Sequence, residues 1–326
     1  MSRPPKIVLL GGGTGSFTLL PALKKMMADI TAIVSMSDDG GSTGSLRDEL
    51  GVLPPGDIRQ CLVALSDNPA VRDLFSFRFS KGRLKGQSLG NIILSGLELQ
   101  YGSFEEAVWV AGELLHITGR VVPVTLDKHT LVARDGRRTY RGEHIIDGAL
   151  RLSPAAQLSL DPPAQLNPLA QAAIHVADLV VIAPGSFYSS LVPVVTVSGM
   201  AEALAATKAK VVSITNLVNK PLQTDSWHAV DYVKQLERYL GAGAIDVVLY
   251  NNQPIAPRLL KKYAAEGEFP VLTDKNRLRE ISATAIGARL VSPDISTPNP
   301  ADTAIRRTLI RHDSEAVCRQ LRKLLA

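Results

Sequence analysis

The stretch KIVLLGGGTGSF contains the first residues that suggest chemistry, because four glycines follow a short apolar run almost directly. Gly11, Gly12, Gly13 and Gly15 carry no Cβ, and Thr14 adds a hydroxyl to the same turn. A strand, a glycine turn and a helix let backbone N–H groups and the positive end of a helix dipole face an anion. The turn matches neither a P-loop nor a clean G-x-G-x-x-G pattern, so a plain tight turn is the alternative to a phosphate contact.

A second side-chain-poor loop, SDDGGSTG, places two adjacent carboxylates ahead of glycines and hydroxyls. Asp38 and Asp39 could hold a ribose hydroxyl or a Mg²⁺ ion beside a phosphate, and Gly40, Gly41 and Ser42 could approach the ligand closely. The alternative is that either carboxylate merely caps the loop through Asx hydrogen bonds.

Three further polar residues stand at the starts of apolar helical patterns, in PPGDIRQ and SLGN. Asp57 is either a plain N-cap or a partner of Asp38 in a magnesium site. Arg59 is predicted to bind a phosphate through two parallel hydrogen bonds from its guanidinium, as a phosphate fork. Asn91 either recognises a base or sugar edge or simply begins its helix.

Two later loops repeat the logic of the first. Pro184, Gly185 and Ser186 follow a buried apolar run and predict a second phosphate cradle, and Asn216 ends the next run with an amide suited to a ligand. So many polar loops at successive strand ends predict one large polar cleft rather than a coincidence of turns.

The elements that must position these loops alternate between strand and helix patterns. Such alternation predicts an α/β fold with a doubly wound, mostly parallel sheet, whose ligands bind at the carboxyl ends of the strands. The predicted strands cover residues 7–10, 31–35, 120–125, 179–183, 210–215 and 245–250. The predicted helices cover residues 16–27, 57–66, 89–100, 103–116, 167–175, 226–240 and 255–265.

We expect a single domain over residues 1–326, interrupted by a small β insertion at about 126–155. The Asp135-Gly136 pair is a hairpin signal within that insertion. Residues 153–168 are rich in proline and are predicted to form a surface connection.

Composition narrows the class of protein. The chain has 326 residues, 45% hydrophobic and 21% charged, and its formal charge of +5 comes from dispersed basic residues, which favours a solvated surface over a nucleic-acid site. Cys61 and Cys318 lack metal-ligand spacing and are predicted to be buried free thiols. With no signal peptide and no long apolar run, we expect a soluble cytoplasmic protein without a membrane span.

The loops together resemble a known family. GGGTG, DDGGSTG, PPGDIR, LVALSD, SLGN and PGS-F-Y-S-S occur in the order and spacing of the CofD-like proteins, and the chain is similar to their YvcK branch, the gluconeogenesis factors. The resemblance covers nearly the whole chain and adds Tyr188 to the predicted site. It implies a modified Rossmann-like fold and a nucleotide-linked ligand. The resemblance also implies two residues that contact a UDP-sugar. Tyr263 would contact it by stacking or through its hydroxyl, and Arg311 would bind a phosphate as a bidentate fork.

The resemblance leaves open whether the protein catalyses a reaction. The YvcK branch implies a regulator that binds a UDP-sugar, particularly UDP-N-acetylglucosamine. Such a regulator controls cell-wall precursor supply and cell shape under gluconeogenic growth, with an enzyme of amino-sugar synthesis as a regulated partner and a homodimer as one expected assembly. The CofD branch implies the alternative, a Mg²⁺-dependent transferase of the 2-phospho-L-lactate type. An NAD-dependent dehydrogenase ranks third, because no histidine is obviously placed for hydride transfer.

The chain departs from the family pattern at two places. Gln87 stands where the family commonly has histidine. The segment 218–224 reads VNKPLQT, so that Leu222 and Gln223 replace a glycine and a carboxylate. If this segment closes over the sugar, we expect a shifted ligand preference.

Overall fold

A computed structural model describes residues 3–148, 151–293 and 310–325. Seven strands form one sheet in the order β10-β9-β8-β7-β1-β2-β3, and every neighbouring pair is parallel. These strands are β1 (Lys6–Gly11), β2 (Asp29–Val34), β3 (Arg120–Pro123), β7 (Leu179–Ile182), β8 (Lys210–Ile214), β9 (Val247–Asn251) and β10 (Thr284–Ala288). The α/β fold with a mostly parallel, Rossmann-like sheet is therefore confirmed.

The strands at the middle of the sheet are apolar because helices cover both faces. In β1, Ile7 to Leu10 are at most 2% exposed, and all four residues of β7 are buried. Leu10 lies opposite Ile33 of β2 on one side and Ile182 of β7 on the other. The strand order therefore reverses between β1 and β7, which is where a doubly wound sheet opens a crevice for ligands.

The helices follow the strands much as their patterns predict. They are α1 (Gly13–Lys24), α2 (Gly41–Leu50), α3 (Gly56–Leu65), α4 (Pro69–Ser76), α5 (Leu89–Tyr101), α6 (Phe104–Leu115), α7 (Glu143–Asp147), α8 (Pro168–His175), α9 (Val192–Val195), α10 (Met200–Ala206), α11 (Ala229–Leu240), α12 (Pro257–Ala264) and α13 (Ser314–Leu325). A π turn (Phe187–Leu191) precedes α9, and a 3-10 turn (Arg277–Glu280) precedes β10.

A small antiparallel sheet interrupts this alternation, as expected. It has the order β5-β4-β6, from β4 (Thr130–Asp135), β5 (Arg138–Arg141) and β6 (Gln157–Asp161). The prediction of a surface connection over residues 153–168 is wrong at its middle, because β6 pairs with β4 there. Leu158 and Leu160 are both buried, and this alternation is what a half-buried strand requires.

Two features of the core bear on the site. Cys61 and Cys318 are free, buried thiols, as the sequence predicts. Phe187, Trp227 and Tyr232 form an aromatic group with ring centroids 5.1–5.9 Å apart in edge-to-face contact.

Within the described residues, no helix combines the length and apolar character needed to cross a bilayer.

Candidate functional site

A cleft of about 810 Å³ opens at the carboxyl ends of the strands, where β1 and β7 lie side by side. Half of the predicted site residues line it: Gly13, Thr14, Gly15, Asp38, Asp57, Pro184, Gly185, Ser186, Asn216 and Arg311. The other predicted residues are outside the lining of this cleft: Gly11, Gly12, Asp39, Gly40, Gly41, Ser42, Arg59, Asn91, Tyr188 and Tyr263.

The glycine turn after β1 is bare because other parts of the protein press against it. A Cβ at Gly15 would collide with the carbonyl oxygen of Pro184, and one at Gly12 would lie 2.8 Å from Cβ of Ser190. A Cβ at Gly13 would meet the Asp57 carboxylate. The glycines therefore bring the loops after β1 and β7 into direct contact, besides leaving backbone open to the cleft.

Asp38 and Asp57 are brought together as the sequence predicts. Asp38 accepts a hydrogen bond from the Gly40 amide at 3.1 Å, and its carboxylate packs against the bare Cα of Gly56. Desolvation raises the pKa of the Asp38 carboxyl. Desolvation and the charge of Asp38 raise the pKa of Asp57 to about 7, although a hydrogen bond from the Gly13 amide acts in the opposite direction and lowers it.

Glu143 is a third carboxyl of this cleft, and it is not among the site residues predicted from the sequence. It begins α7, which lies between β5 and β6 of the antiparallel sheet. Desolvation, followed by the charges of Asp38 and Asp147, raises the pKa of Glu143 to about 9. The acidic side of the cleft is therefore built jointly by the main sheet and the insertion.

This acidic side suits a divalent cation that the ligand helps to bind. Among the described residues, no group of three or more His, Cys, Asp or Glu side chains is arranged to hold a metal ion. Mg²⁺ often takes only one or two protein carboxylates and completes its shell with water and phosphate oxygens. Asp38 and Asp57 fit that role, because a nearby cation would relieve the cost of ionising two desolvated carboxyls.

Asp39 serves a different purpose from Asp38. Its two oxygens accept hydrogen bonds from the amides of Glu143 at 2.9 Å and His144 at 2.7 Å. These amides are orphan donors at the start of α7, so Asp39 caps that helix from a distant loop. Asp39 thus supports the capping alternative considered for the loop after β2, although it caps α7 rather than its own loop.

Arg59 and Asn91 point into a buried polar network instead of the cleft. Arg59 is 9% exposed, and its Nε donates to Asn91 Oδ1 at 2.8 Å. Ser42 accepts from the Asn91 amide at 3.3 Å and donates to Gln87 at 2.7 Å. The network joins α2, α3 and α5, so these polar residues hold the helices behind the cleft together.

The loops after β7 and β8 are fastened by Asn216. Its Nδ2 donates to the Gly185 carbonyl at 2.8 Å, and its Oδ1 accepts from the Gly185 amide at 3.1 Å. This reciprocal pair occupies both ends of the Asn216 amide. Asn216 therefore lines the cleft chiefly as the support of the Pro184–Ser186 loop.

Lys220 and Asp147 form an ion pair in the cleft that the sequence does not predict. Lys220 Nζ lies 2.6 Å from Asp147 Oδ1, and it also donates to the Asp147 carbonyl at 2.6 Å. Desolvation alone would raise the pKa of Asp147, but Lys220 and the hydroxyls of Ser189 and Ser186 outweigh it and lower that pKa. Asp147 is thus ionised, unlike its neighbour Glu143 at neutral pH.

The segment that departs from the family pattern forms part of this wall. Leu222 lines the cleft in a left-handed conformation, with φ of 66°, which a glycine would adopt more easily. Gln223 is 3% exposed and donates to the Ile146 carbonyl at 2.6 Å, a hydrogen bond that an ionised carboxylate could not donate. Both replacements therefore lie where they shape the cleft and hold α7.

Tyr263 and Arg311, the two residues predicted from the family resemblance to contact a UDP-sugar, lie in different surroundings. Arg311 lines the cleft beside His312, whose ring nitrogen lies 3.1 Å from the Thr215 carbonyl. Desolvation lowers the pKa of His312 to about 4, so the ring is neutral at physiological pH. Tyr263 is 7% exposed, and its hydroxyl accepts from the Ile310 amide at 2.9 Å. Tyr263 thus supports the segment that presents Arg311.

Tyr188 belongs to the core. It is 1% exposed, and its ring packs edge-to-face on Phe187 with centroids 5.1 Å apart. Desolvation raises its pKa.

Several polar residues that line the cleft were not predicted from the sequence to be site residues. They are Gln60, Glu143, Asp147, Ser189, Lys220, Glu266, Glu268 and His312. Glu143 and Asp147 stand four positions apart, a spacing that places both on one face of a helix. That spacing was the one local signal available for them.

Comparison with known proteins places this geometry in a family. The profile of the family described as 2-phospho-L-lactate transferase CofD matches residues 7–291. A gluconeogenesis factor of Bacillus subtilis is 39% identical and covers 100% of this chain and 99% of its own. A Thermotoga maritima protein described as a putative gluconeogenesis factor is 38% identical over 95% of this chain and 96% of its own.

Solved structures agree with these sequence relatives. A crystal structure of a Bacillus halodurans protein, described as a member of the UPF0052 family, superposes with a TM-score of 0.89. The two chains are 32% identical, and the match covers 98% of this chain and 99% of the other. The chain therefore belongs to the CofD family, in the branch whose relatives carry the name gluconeogenesis factor.

Proposed function

We propose that the protein binds a nucleoside diphosphate linked to a sugar, with UDP-N-acetylglucosamine as the reference ligand. One observation carries this proposal: the glycine turn after β1 and the Pro184–Ser186 loop touch at the strand-order reversal and open into one cleft. A diphosphate is the ligand group that could contact both loops at once, because backbone N–H groups at such turns suit phosphate oxygens.

The charge of the cleft supports a magnesium-bound ligand. Six carboxyl side chains line it, and among the described residues the cationic side chains of the lining are Lys220 and Arg311. A bare diphosphate would be repelled by such a surface. Asp38 and Asp57 would hold the Mg²⁺, which would neutralise the diphosphate.

The names of the relatives support a regulatory role. Gluconeogenesis factors in Bacillus subtilis and Halalkalibacterium halodurans are 39% and 37% identical to this chain. On this proposal, ligand binding changes the contact with an enzyme of amino-sugar synthesis in the cytoplasm. The output is cell-wall precursor supply and cell shape under gluconeogenic growth, and a homodimer is the proposed assembly.

A second candidate is a phospholactyl or related nucleotidyl transferase. The carboxyls Asp38, Asp57 and Glu143, all with raised pKa values, favour it, because a transferase needs a metal to stabilise the leaving nucleotide. The description of the family profile points to the same reaction class. The buried aromatic group around Phe187 is core and gives this candidate no flat pocket for a deazaflavin.

Isothermal titration with UDP-N-acetylglucosamine, UDP and GDP, each with Mg²⁺, tests the first proposal. We expect the UDP-sugar to bind most tightly and to be recovered unchanged after incubation. Absence of UDP-sugar binding, alongside binding of GDP, would refute it. Formation of a phospholactyl product from a guanosine diphospho-lactate donor and a deazaflavin alcohol would instead establish the transferase.

A further inference from the structure

One oxygen of Asp147 is surrounded by hydrogen-bond donors. Asp147 Oδ1 accepts from the Ser186 hydroxyl at 2.9 Å, from the Ser189 hydroxyl, and from Lys220 Nζ at 2.6 Å. All four side chains line the cleft. Every hydrogen bond to the Asp147 side chain among the described residues falls on this oxygen.

The three donors come from two segments that follow neighbouring strands. Ser186 and Ser189 follow β7, and Lys220 follows β8, whereas Asp147 comes from the insertion. Two hydroxyls and an ammonium converging on one point are the donor set of a phosphate-binding site. Here the anion at that point is a carboxylate of the same chain.

We propose that Ser186, Ser189 and Lys220 bind a phosphate group of the ligand, and that Asp147 occupies this site as an intramolecular substitute when no ligand is bound. The inference rests on the proposed function in that the ligand carries phosphate. It goes further by assigning Ser189 and Lys220 to the site and by making Asp147 a competitor of the ligand.

Asp147 is placed so that it can leave. Its side chain is 42% exposed, and it ends the five-residue helix α7, which lies between Gly142 and Gly148. The incoming phosphate replaces one anion with another, and Lys220 keeps an ionic partner throughout.

The exchange would couple the ligand to the insertion. The N-terminal end of α7 is held by Asp39, so displacement of Asp147 would move the other end of the helix. Lys220 donates to the Asp147 carbonyl and Gln223 donates to the Ile146 carbonyl. Movement of α7 would therefore also displace the segment 217–224. The surface of the insertion would then report ligand occupancy to a partner.

The test is the affinity of the Asp147→Asn variant for two probes, inorganic pyrophosphate and UDP-N-acetylglucosamine, both with Mg²⁺. Asparagine keeps an acceptor oxygen but removes the charge that competes with phosphate. We expect about tenfold tighter binding of both probes, because the phosphate site is free of the side chain at position 147 in a larger fraction of the molecules. Lys220→Met should weaken binding at least tenfold.

A matched control separates a local effect from a change in overall charge. Glu280→Gln breaks a 2.6 Å ion pair with Lys234, neither of which lines the cleft, and it should leave both affinities unchanged. Amide hydrogen exchange of residues 143–147 should rise when pyrophosphate binds to the parent protein. Asp147→Ser, with a shorter uncharged side chain, should reproduce the gain in affinity if Asp147→Asn folds poorly.

The outcomes distinguish this inference from the proposed function. Unchanged or weaker binding of pyrophosphate by both Asp147 variants would overturn the inference, even where the parent binds the UDP-sugar. Tighter pyrophosphate binding without any UDP-sugar binding would keep the phosphate site and refute the nucleotide-sugar proposal. Failure of parent and variants alike to bind pyrophosphate would also overturn the inference.

Discussion

At the scale of single residues, the cleft is defined by carboxyls whose environments differ sharply. Asp147 is held ionised by Lys220 and two hydroxyls, while desolvation and like charges favour the protonated forms of Asp57 and Glu143. Similar side chains thus take different protonation states within one cleft. A perturbed carboxyl in a cleft is also a mark of a functional site.

Replacement of Glu143 by glutamine should stabilise the ligand-free protein at pH 8. The folded state holds the Glu143 proton up to about pH 9, whereas the unfolded carboxyl loses it near its ordinary value of 4.5. Stability is therefore lost as pH rises between these values. We expect Glu143→Gln to gain about 1–2 kcal/mol at pH 8 and nothing below pH 4.

Urea unfolding across this pH range measures the effect. Glu113→Gln, an exposed change on α6, is the matched control and should shift stability by less than about 0.5 kcal/mol at any pH. A Glu143→Gln variant less stable than the parent at pH 8 would mean that the ionised carboxylate is favoured in the folded state.

At the scale of elements, the site depends on how loops of different strands are fastened to each other. Gly15 packs on the Pro184 carbonyl, Asn216 pairs with the Gly185 backbone, and Asp39 caps α7. Each contact joins two segments distant in sequence. The cleft is therefore a product of these junctions and not of any one loop.

Substitution of Gly15 by alanine should destabilise the junction between the loops after β1 and β7. The new Cβ would collide with the Pro184 carbonyl oxygen, and backbone cannot yield as a flexible side chain can. We expect a loss of about 1–3 kcal/mol in thermal or urea unfolding. Gly96→Ala is the control, because Gly96 lies in α5 with open space around it and should gain about 0.5–1 kcal/mol. Equal effects at both glycines would contradict the packing argument.

Asp39→Ala should release the N-terminal end of α7. The amides of Glu143 and His144 would lose their acceptor, at a cost of about 1–2 kcal/mol. Amide exchange should accelerate in residues 143–147 and stay unchanged in α5. Asn68→Ala removes an ordinary cap of α4, with a similar cost and no change at α7. Unchanged protection of α7 in Asp39→Ala would refute the anchoring role.

At the scale of the whole molecule, the distribution of charge matters more than the total. The chain carries a formal charge of +5, yet its cleft is lined by six carboxyl side chains. A basic surface attracts an anionic ligand over distance, and the acidic cleft then demands a cation at close range. This contrast leads to a prediction about metal dependence.

We expect the affinity for UDP-N-acetylglucosamine to be at least tenfold higher with Mg²⁺ than with EDTA. Asp38→Asn should abolish most of this gain, because it removes one of the two proposed metal ligands. Asp48→Asn changes the same charge on the exposed face of α2 and should retain the full gain. Equal affinity in EDTA and Mg²⁺ would contradict a metal-bound diphosphate.

The sequence by itself determined six of the seven strands of the main sheet, the principal helices, the glycine turns and the family, whereas the partly buried β10 was not among the predicted strands. These features are local, since a buried strand needs a continuous apolar run and a bare turn needs glycine wherever the chain lies. The loops at successive strand ends were also sufficient to predict a polar cleft at the strand-order reversal. Gly13, Asp38, Asp57 and Ser186 accordingly line it.

Only the tertiary structure decided which side chains of those loops face the ligand. Arg59 and Asn91 have the residue types of a phosphate or base contact, yet they satisfy each other behind the cleft. Lys220 and Asp147 meet across 73 positions of sequence, and no local pattern records such a distance. Side-chain direction and partner choice depend on which segments pack together, and that is settled only when the sheet and the insertion close around the cleft.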